Sequence, residues 1–113
     1  MSRHETSVRL RHMLDYAREA VLLTQNKTRA DLISERVLDL ALLHLITLIG
    51  EAANYVPAED VARYSEIPWK KITGMRNRLV HGYDNVNYDV LWKTVSEDLP
   101  ALVAILEKIL RDK

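Results

Sequence analysis

Between Val37 and Ile49 the chain reads VLDLALLHLITLI, so rich in aliphatic residues that a helix built from it is apolar on nearly every side. Such a helix cannot lie on a surface, because one neighbouring helix covers only one stripe of it. Either other helices of the same chain surround it or a second copy of the chain does, and homodimerisation is the expectation that follows. The apolar-rich segment runs from Thr28 to Val56, with a bend expected near Ser34. Thr28 followed three positions later by Asp31 has the form of an N-terminal cap with an acid in the first turn.

The flanking segments are helical in pattern too. Val8, Leu10, Met13, Leu14, Ala17, Val21 and Leu22 recur mostly at helical spacing and predict an amphipathic helix ended by Asn26 to Thr28. Pro57 and Pro68 bracket a short helical piece, and a new helix starts at Pro68 or Trp69, since proline is tolerated in a first turn. Gly82 stands where a glycine ends a helix, so this helix is expected to reach it. A loop of Asp84, Asn85 and Asn87 follows, and helical patterning resumes from about Tyr88 to Leu110 with a bend at Pro100. With 113 residues, only three Gly and three Pro, and no repeats or linkers, the expected fold is all-α. It is expected as an antiparallel bundle of four to five helices forming a single domain over residues 1–113.

Lys plus Arg and Asp plus Glu both count 16, so no overall cationic field draws the molecule to nucleic acid, and any RNA contact needs a local patch. The absence of cysteine excludes disulfides, thiolate metal sites and a thiol nucleophile. The opening residues MSRHETSVRLRHM are charged where a signal peptide would be apolar, and no apolar run reaches the roughly 18 residues of a membrane span. A soluble, cytoplasmic protein without a membrane partner is expected. No compact set of His and carboxylates has metal-ligand spacing, so no metal and no other cofactor are expected.

Chemistry concentrates between residues 69 and 83. On a helical wheel Ile72, Met75 and Leu79 form an apolar stripe, Lys70, Gly74, Asn77 and His81 cluster opposite it, and Arg76 flanks it. Asn77 and His81 are four apart, so the amide can orient the imidazole. Arg76 and His81 are five apart, about 140° around a helix. They converge only if the helix unwinds at Gly82 or a second copy supplies a partner, which points to a composite site at a dimer interface. Arg, Asn and His without a metal suit RNA cleavage through the 2′-hydroxyl, with His81 moving protons and Arg76 neutralising charge on the phosphorane. Lys70, Lys71, Arg76 and Arg78 form the densest basic patch and can follow an RNA backbone. Trp69 beside them either offers a base platform or staples the start of the helix into the core.

On the long helix His44, Thr47, Glu51 and Asn54 form one polar stripe. It either lines the catalytic cleft, with Glu51 paired to Arg76 or Arg78, or is a hydrogen-bond network or solvated edge. His4 and His12 fall on the charged face of the first helix and are read as solvated.

The run GMRNRLVHGY, residues 74–83, resembles the signature of the HEPN superfamily, carried here by Arg76, Asn77 and His81. Tyr83 narrows the resemblance to the HepT-like toxins of HepT/MntA modules, whose motif is Arg, four residues, His, any residue, Tyr. IGEAAN at 49–54, EIPWKKITGMRN at 66–77 and VLWKTVSEDLP at 90–100 also resemble that family. The resemblance implies a HEPN-like bundle that dimerises with two motifs facing across a cleft. It implies metal-independent endoribonuclease activity as the toxin of a type VII-like toxin–antitoxin module, with an MntA-like nucleotidyltransferase as antitoxin. Carried over by position, Arg76 and His81 are catalytic, Asn77 supports them, and Tyr83 accepts AMP. The alternative is a noncatalytic helical dimer that binds a nucleotidyltransferase or a nucleotide.

Overall fold

The computed structural model describes residues 3–80 and 85–112, with side chains from residue 5 onward. His81, Gly82, Tyr83 and Asp84 therefore lie outside the described residues, as does the His4 side chain. The elements are α1 (Arg3–Leu23), α2 (Arg29–Ser34), α3 (Arg36–Asn54), α4 (Ala58–Arg63), α5 (Trp69–Thr73) and α6 (Met75–Leu79). They continue with α7 (Tyr88–Lys93), a π-helical turn (Thr94–Asp98) and α8 (Leu99–Arg111). The fold is the expected all-α bundle, and among the described residues the only β pairing is an isolated antiparallel bridge between Val80 and Val86.

Grouped by continuity, the helices form the expected rods, several of them interrupted. α1 buries Thr6, Leu10, Met13, Leu14, Ala17 and Ala20, an unbroken three- and four-residue spacing, against α3 and α8. Val8 and Leu22, counted by pattern in that stripe, are instead exposed. Its far end turns at Asn26, whose φ of 63° is left-handed and suits an asparagine. Thr28 then caps α2 in a full capping box with Asp31, as its spacing predicted.

The bend expected near Ser34 is a break at Glu35, whose backbone is extended. Its N–H closes α2 on the Asp31 carbonyl at 2.9 Å, and its carboxylate accepts from Lys27 Nζ at 3.0 Å. α3 thus starts afresh in a new direction and carries Leu38, Leu42, Leu45, Ile46, Ile49, Ala52 and Ala53 into the core. By length and mean hydropathy this helix is apolar enough to cross a membrane, so the expectation that no segment reaches that limit needs correcting. Half of that apolar window is buried against neighbouring helices, as in the central helix of a bundle. The covering is one-sided: α1, α2, α5 and α6 pack on α3, while Val37 at 81% and Leu40 at 48% remain exposed.

Tyr88 to Arg111 is one continuous helical rod with the π turn in its middle. Pro100 has no N–H and its ring clashes with the carbonyl four residues earlier in a regular helix. The widened turn relieves this, the N–H of Leu99 reaching the Thr94 carbonyl one residue further back than an α bond would. A register change, rather than a break, is how the chain accommodates this proline.

Candidate active site

α5 and α6 are two single turns joined at Gly74, and an arginine spans the joint. The Arg78 guanidinium folds back so that its Nη2 donates to the Lys71 carbonyl at 2.6 Å. It thereby satisfies a carbonyl at the C-terminal end of α5, where a cation is favoured. A Cβ at position 74 would stand 3.0 Å from Arg78 Nη1 and 3.2 Å from the Lys70 carbonyl oxygen, so glycine leaves the space this arginine uses.

The apolar stripe predicted for this segment is buried: Ile72, Met75 and Leu79 pack beneath α5 and α6 against α3. Arg76 and Asn77 consequently point outward. They face a cleft of about 470 Å³ whose opposite wall is α3, with Thr47, Glu51 and Asn54 on one side and Ile46, Gly50 and Ile72 along its floor. That volume lies within the roughly 300–1,000 Å³ of small-molecule sites. Three of the four residues of the polar stripe on α3 therefore line this cleft, and His44 is exposed outside it.

The pairings expected inside the cleft differ. Among the described residues no ion pair joins Glu51 to Arg76 or Arg78, and Arg78 is instead turned onto α5. Lys71, expected to follow an RNA backbone, is held by Asp98 at 2.8 Å, while Lys70 is exposed. Trp69 follows the structural of its two readings, half-buried on the core with Nε1 donating to the Tyr64 carbonyl at 3.0 Å. His12 is half-buried with its ring 6.3 Å from that of Tyr16. Among the described residues no three His, Asp or Glu side chains stand together as a metal site.

The motif helix also ends earlier than expected. α6 stops at Leu79, three residues before Gly82, and Val80 is extended, φ −115° and ψ 122°. Val80 pairs with Val86, and the Asn87 N–H donates to the Leu79 carbonyl at 2.7 Å. The helical spacing on which the expected relations of Asn77 and Arg76 to His81 rest therefore ends at Leu79, and His81 itself lies outside the described residues.

The start of α7 is secured by contacts that the sequence pattern did not single out. Asn87 caps α7 by accepting from the Val90 N–H at 3.1 Å. The Tyr88 hydroxyl donates to Asp39 Oδ2 at 2.8 Å, and Arg36 Nη1 donates to the same carboxylate at 3.1 Å. Asp39 is 1% exposed. The available signal was its position as the lone carboxylate in the apolar run 37–49, since a buried charge needs partners. The hydrogen bond to Asp39, with burial and the carboxylate's charge behind it, raises the Tyr88 phenol above its ordinary value.

A phenol whose folded pKa lies above its unfolded value of about 10 stabilises the fold fully below that value, and the contribution is lost as pH rises through the folded pKa. Tyr88→Phe is therefore expected to cost about 1 kcal/mol at neutral pH. The difference from the parent should shrink above about pH 10. Denaturant unfolding of both proteins from pH 7 upward checks this, and a difference that grows with pH would refute it.

The sequence model of the family described as Ribonuclease HepT-like matches residues 13–109. The chain belongs to that family. The match includes α3, the α5–α6 pair and most of the long C-terminal rod, so every described wall of the cleft falls inside it. Among relatives, a "Probable ribonuclease HepT" of Thermococcus cleftensis is 36% identical over 95 residues, covering 80% of this chain and 86% of its own. A "Putative RNase" of Caldanaerobacter subterraneus subsp. tengcongensis is 32% identical over 102 residues, covering 90% of this chain and 91% of its own. Another "Putative RNase", of Methanocaldococcus jannaschii, is 29% identical over 112 residues, covering 99% and 93%. No solved structure matches the chain.

Proposed function

We propose that this member of the HepT-like family is an endoribonuclease and the toxin of a toxin–antitoxin pair. The observation that carries the reading is the cleft in which Arg76 and Asn77 stand exposed opposite the polar stripe of α3, on a helix whose other face is core. An RNA phosphate at Arg76 meets a guanidinium that no described carboxylate neutralises.

In the proposed step the 2′-oxygen attacks the adjacent phosphorus while His81 takes the hydroxyl proton. The bond from phosphorus to the 5′-oxygen breaks, a proton returns to that oxygen, and a 2′,3′-cyclic phosphate and a 5′-hydroxyl remain. Arg76 holds the charge that accumulates on the phosphorane oxygens. Asn77 supports the site, Glu51 lines its far wall and Lys70 extends it toward the RNA backbone. No metal is required by this chemistry.

Two copies are proposed to face each other, motif to motif, which the exposed apolar residues Val37 and Leu40 on the central helix support. Control is assigned to Tyr83 as the acceptor of AMP. An MntA-like nucleotidyltransferase joins the tyrosine oxygen to the α-phosphorus of ATP, with pyrophosphate leaving. The added phosphate then occupies the place of the RNA phosphate beside Arg76.

One experiment tests the reading: single-stranded and structured RNA incubated with excess chelator, using protein made alone or with an MntA-like nucleotidyltransferase. The protein made alone should yield 2′,3′-cyclic phosphate ends. The co-expressed protein should carry AMP-mass adducts, absent from Tyr83→Phe, and should not cleave. Strict dependence on a divalent ion, or 5′-phosphate products, would replace this mechanism with water attack.

A further inference from the structure

The cleft continues past its catalytic end. Glu51 and Asn54 line both the cleft at Arg76 and an adjoining depression that Tyr55 also lines. Tyr55 closes α3 as its C-terminal cap residue and is 63% exposed. From α1, Arg9 places its guanidinium carbon 5.0 Å from the centroid of the Tyr55 ring. The Arg9 Nε is buried without a hydrogen-bond partner among the described residues, so a polar atom has been desolvated to hold the guanidinium against this ring.

Two alternative roles for so exposed an aromatic are disfavoured. It is not a core residue, and it is remote from the exposed apolar residues of α3. Val37 and Tyr55 are 18 positions apart along the helix, which at 1.5 Å per residue is about 27 Å. A surface that buries Val37 and Leu40 does not extend naturally to Tyr55. What surrounds Tyr55 is polar: a carboxamide, a carboxylate and a guanidinium. An aromatic ring with one guanidinium against it, at the end of a polar groove, is the arrangement that accepts a nucleobase by stacking.

We propose that Tyr55, braced by Arg9, is a base-stacking subsite for a nucleotide of single-stranded RNA flanking the scissile phosphate. The proposal rests on the ribonuclease reading above and deepens it. A base on the Tyr55 ring places its edge beside Asn54 and Glu51, whose amide and carboxylate can accept from exocyclic amino groups. The phosphate on one side of that nucleotide then lies toward Arg76 and the other toward Arg9. A carboxylate in a phosphate-binding groove is unfavourable facing the backbone and favourable facing a base edge, which accounts for Glu51 on this wall.

The test uses the full chain and a 2′-O-methyl oligoribonucleotide, which cannot be cleaved, with an abasic nucleotide moved through each position. Affinity is read by fluorescence anisotropy. One abasic position should weaken the parent about tenfold, as loss of a stacked base does. Tyr55→Ala and Tyr55→Leu should show the same weakening with the intact oligonucleotide and no further loss with the abasic one, while Tyr55→Phe keeps parental affinity. Leucine preserves bulk at the helix end, so equal circular dichroism spectra for Tyr55→Leu and parent separate lost stacking from lost fold. Parental affinity in Tyr55→Leu, or an abasic penalty that persists in it, would overturn the subsite and leave the ribonuclease reading intact. A parent that binds no oligonucleotide would overturn both.

Discussion

Arg76→Ala is expected to reduce RNA cleavage by about a hundredfold or more, the usual consequence of removing a group that stabilises transition-state charge. The fold should be untouched, because Arg76 is exposed and its helix is held from the opposite face. Arg76→Lys should recover only part of the rate, since an ammonium keeps the charge but not the planar fork that meets two phosphate oxygens. Initial rates on a single RNA, with circular dichroism and thermal melting of each variant, provide the check. Parental rates in Arg76→Ala would remove this arginine from the chemistry.

Leu79→Ala, three residues further on, should do the reverse. Leu79 is 0% exposed, ends α6 and joins it to the core shared with α3 and α7. Truncation there leaves a cavity and should cost about 2–5 kcal/mol. A domain of this size has about 5–15 kcal/mol of stability to lose from. The melting temperature should fall by on the order of 10 °C or more. Thermal and denaturant unfolding measure this directly. A loss under about 0.5 kcal/mol would mean that the motif helix is not held by this residue, since only surface positions behave so mildly. The two substitutions on one short helix thus separate the face that does chemistry from the face that carries it.

How far the sequence could be read depended on the range of the interactions involved. The Thr28–Asp31 capping box was legible because both of its bonds close within three residues. The burial of Ile72, Met75 and Leu79 was legible because helical periodicity alone puts them on one side. The end of α6 was not. Gly82 is the stronger local stop signal, yet Val80 leaves the helix to pair with Val86. A β-branched residue with an extended partner six positions on leaves the helix before the glycine is reached. Arg78 reads in the sequence as part of the basic patch, yet its guanidinium lies on the Lys71 carbonyl, a return contact for which Gly74 leaves the space.

Local order along the chain settled which segments are helical, which face of each is core, and that Arg76 and Asn77 project from the motif helix. Those outcomes follow from propensity, periodicity and capping, all of which act over a few residues. Tertiary packing decided the rest: that α3 supplies the opposite wall of the cleft, that Tyr88 meets Asp39 across 49 positions, and that Arg9 reaches Tyr55 from another helix. Such pairings depend on how rods cross and where each is interrupted, so a residue's partner is chosen by its position in space. Its neighbours in the chain do not specify it.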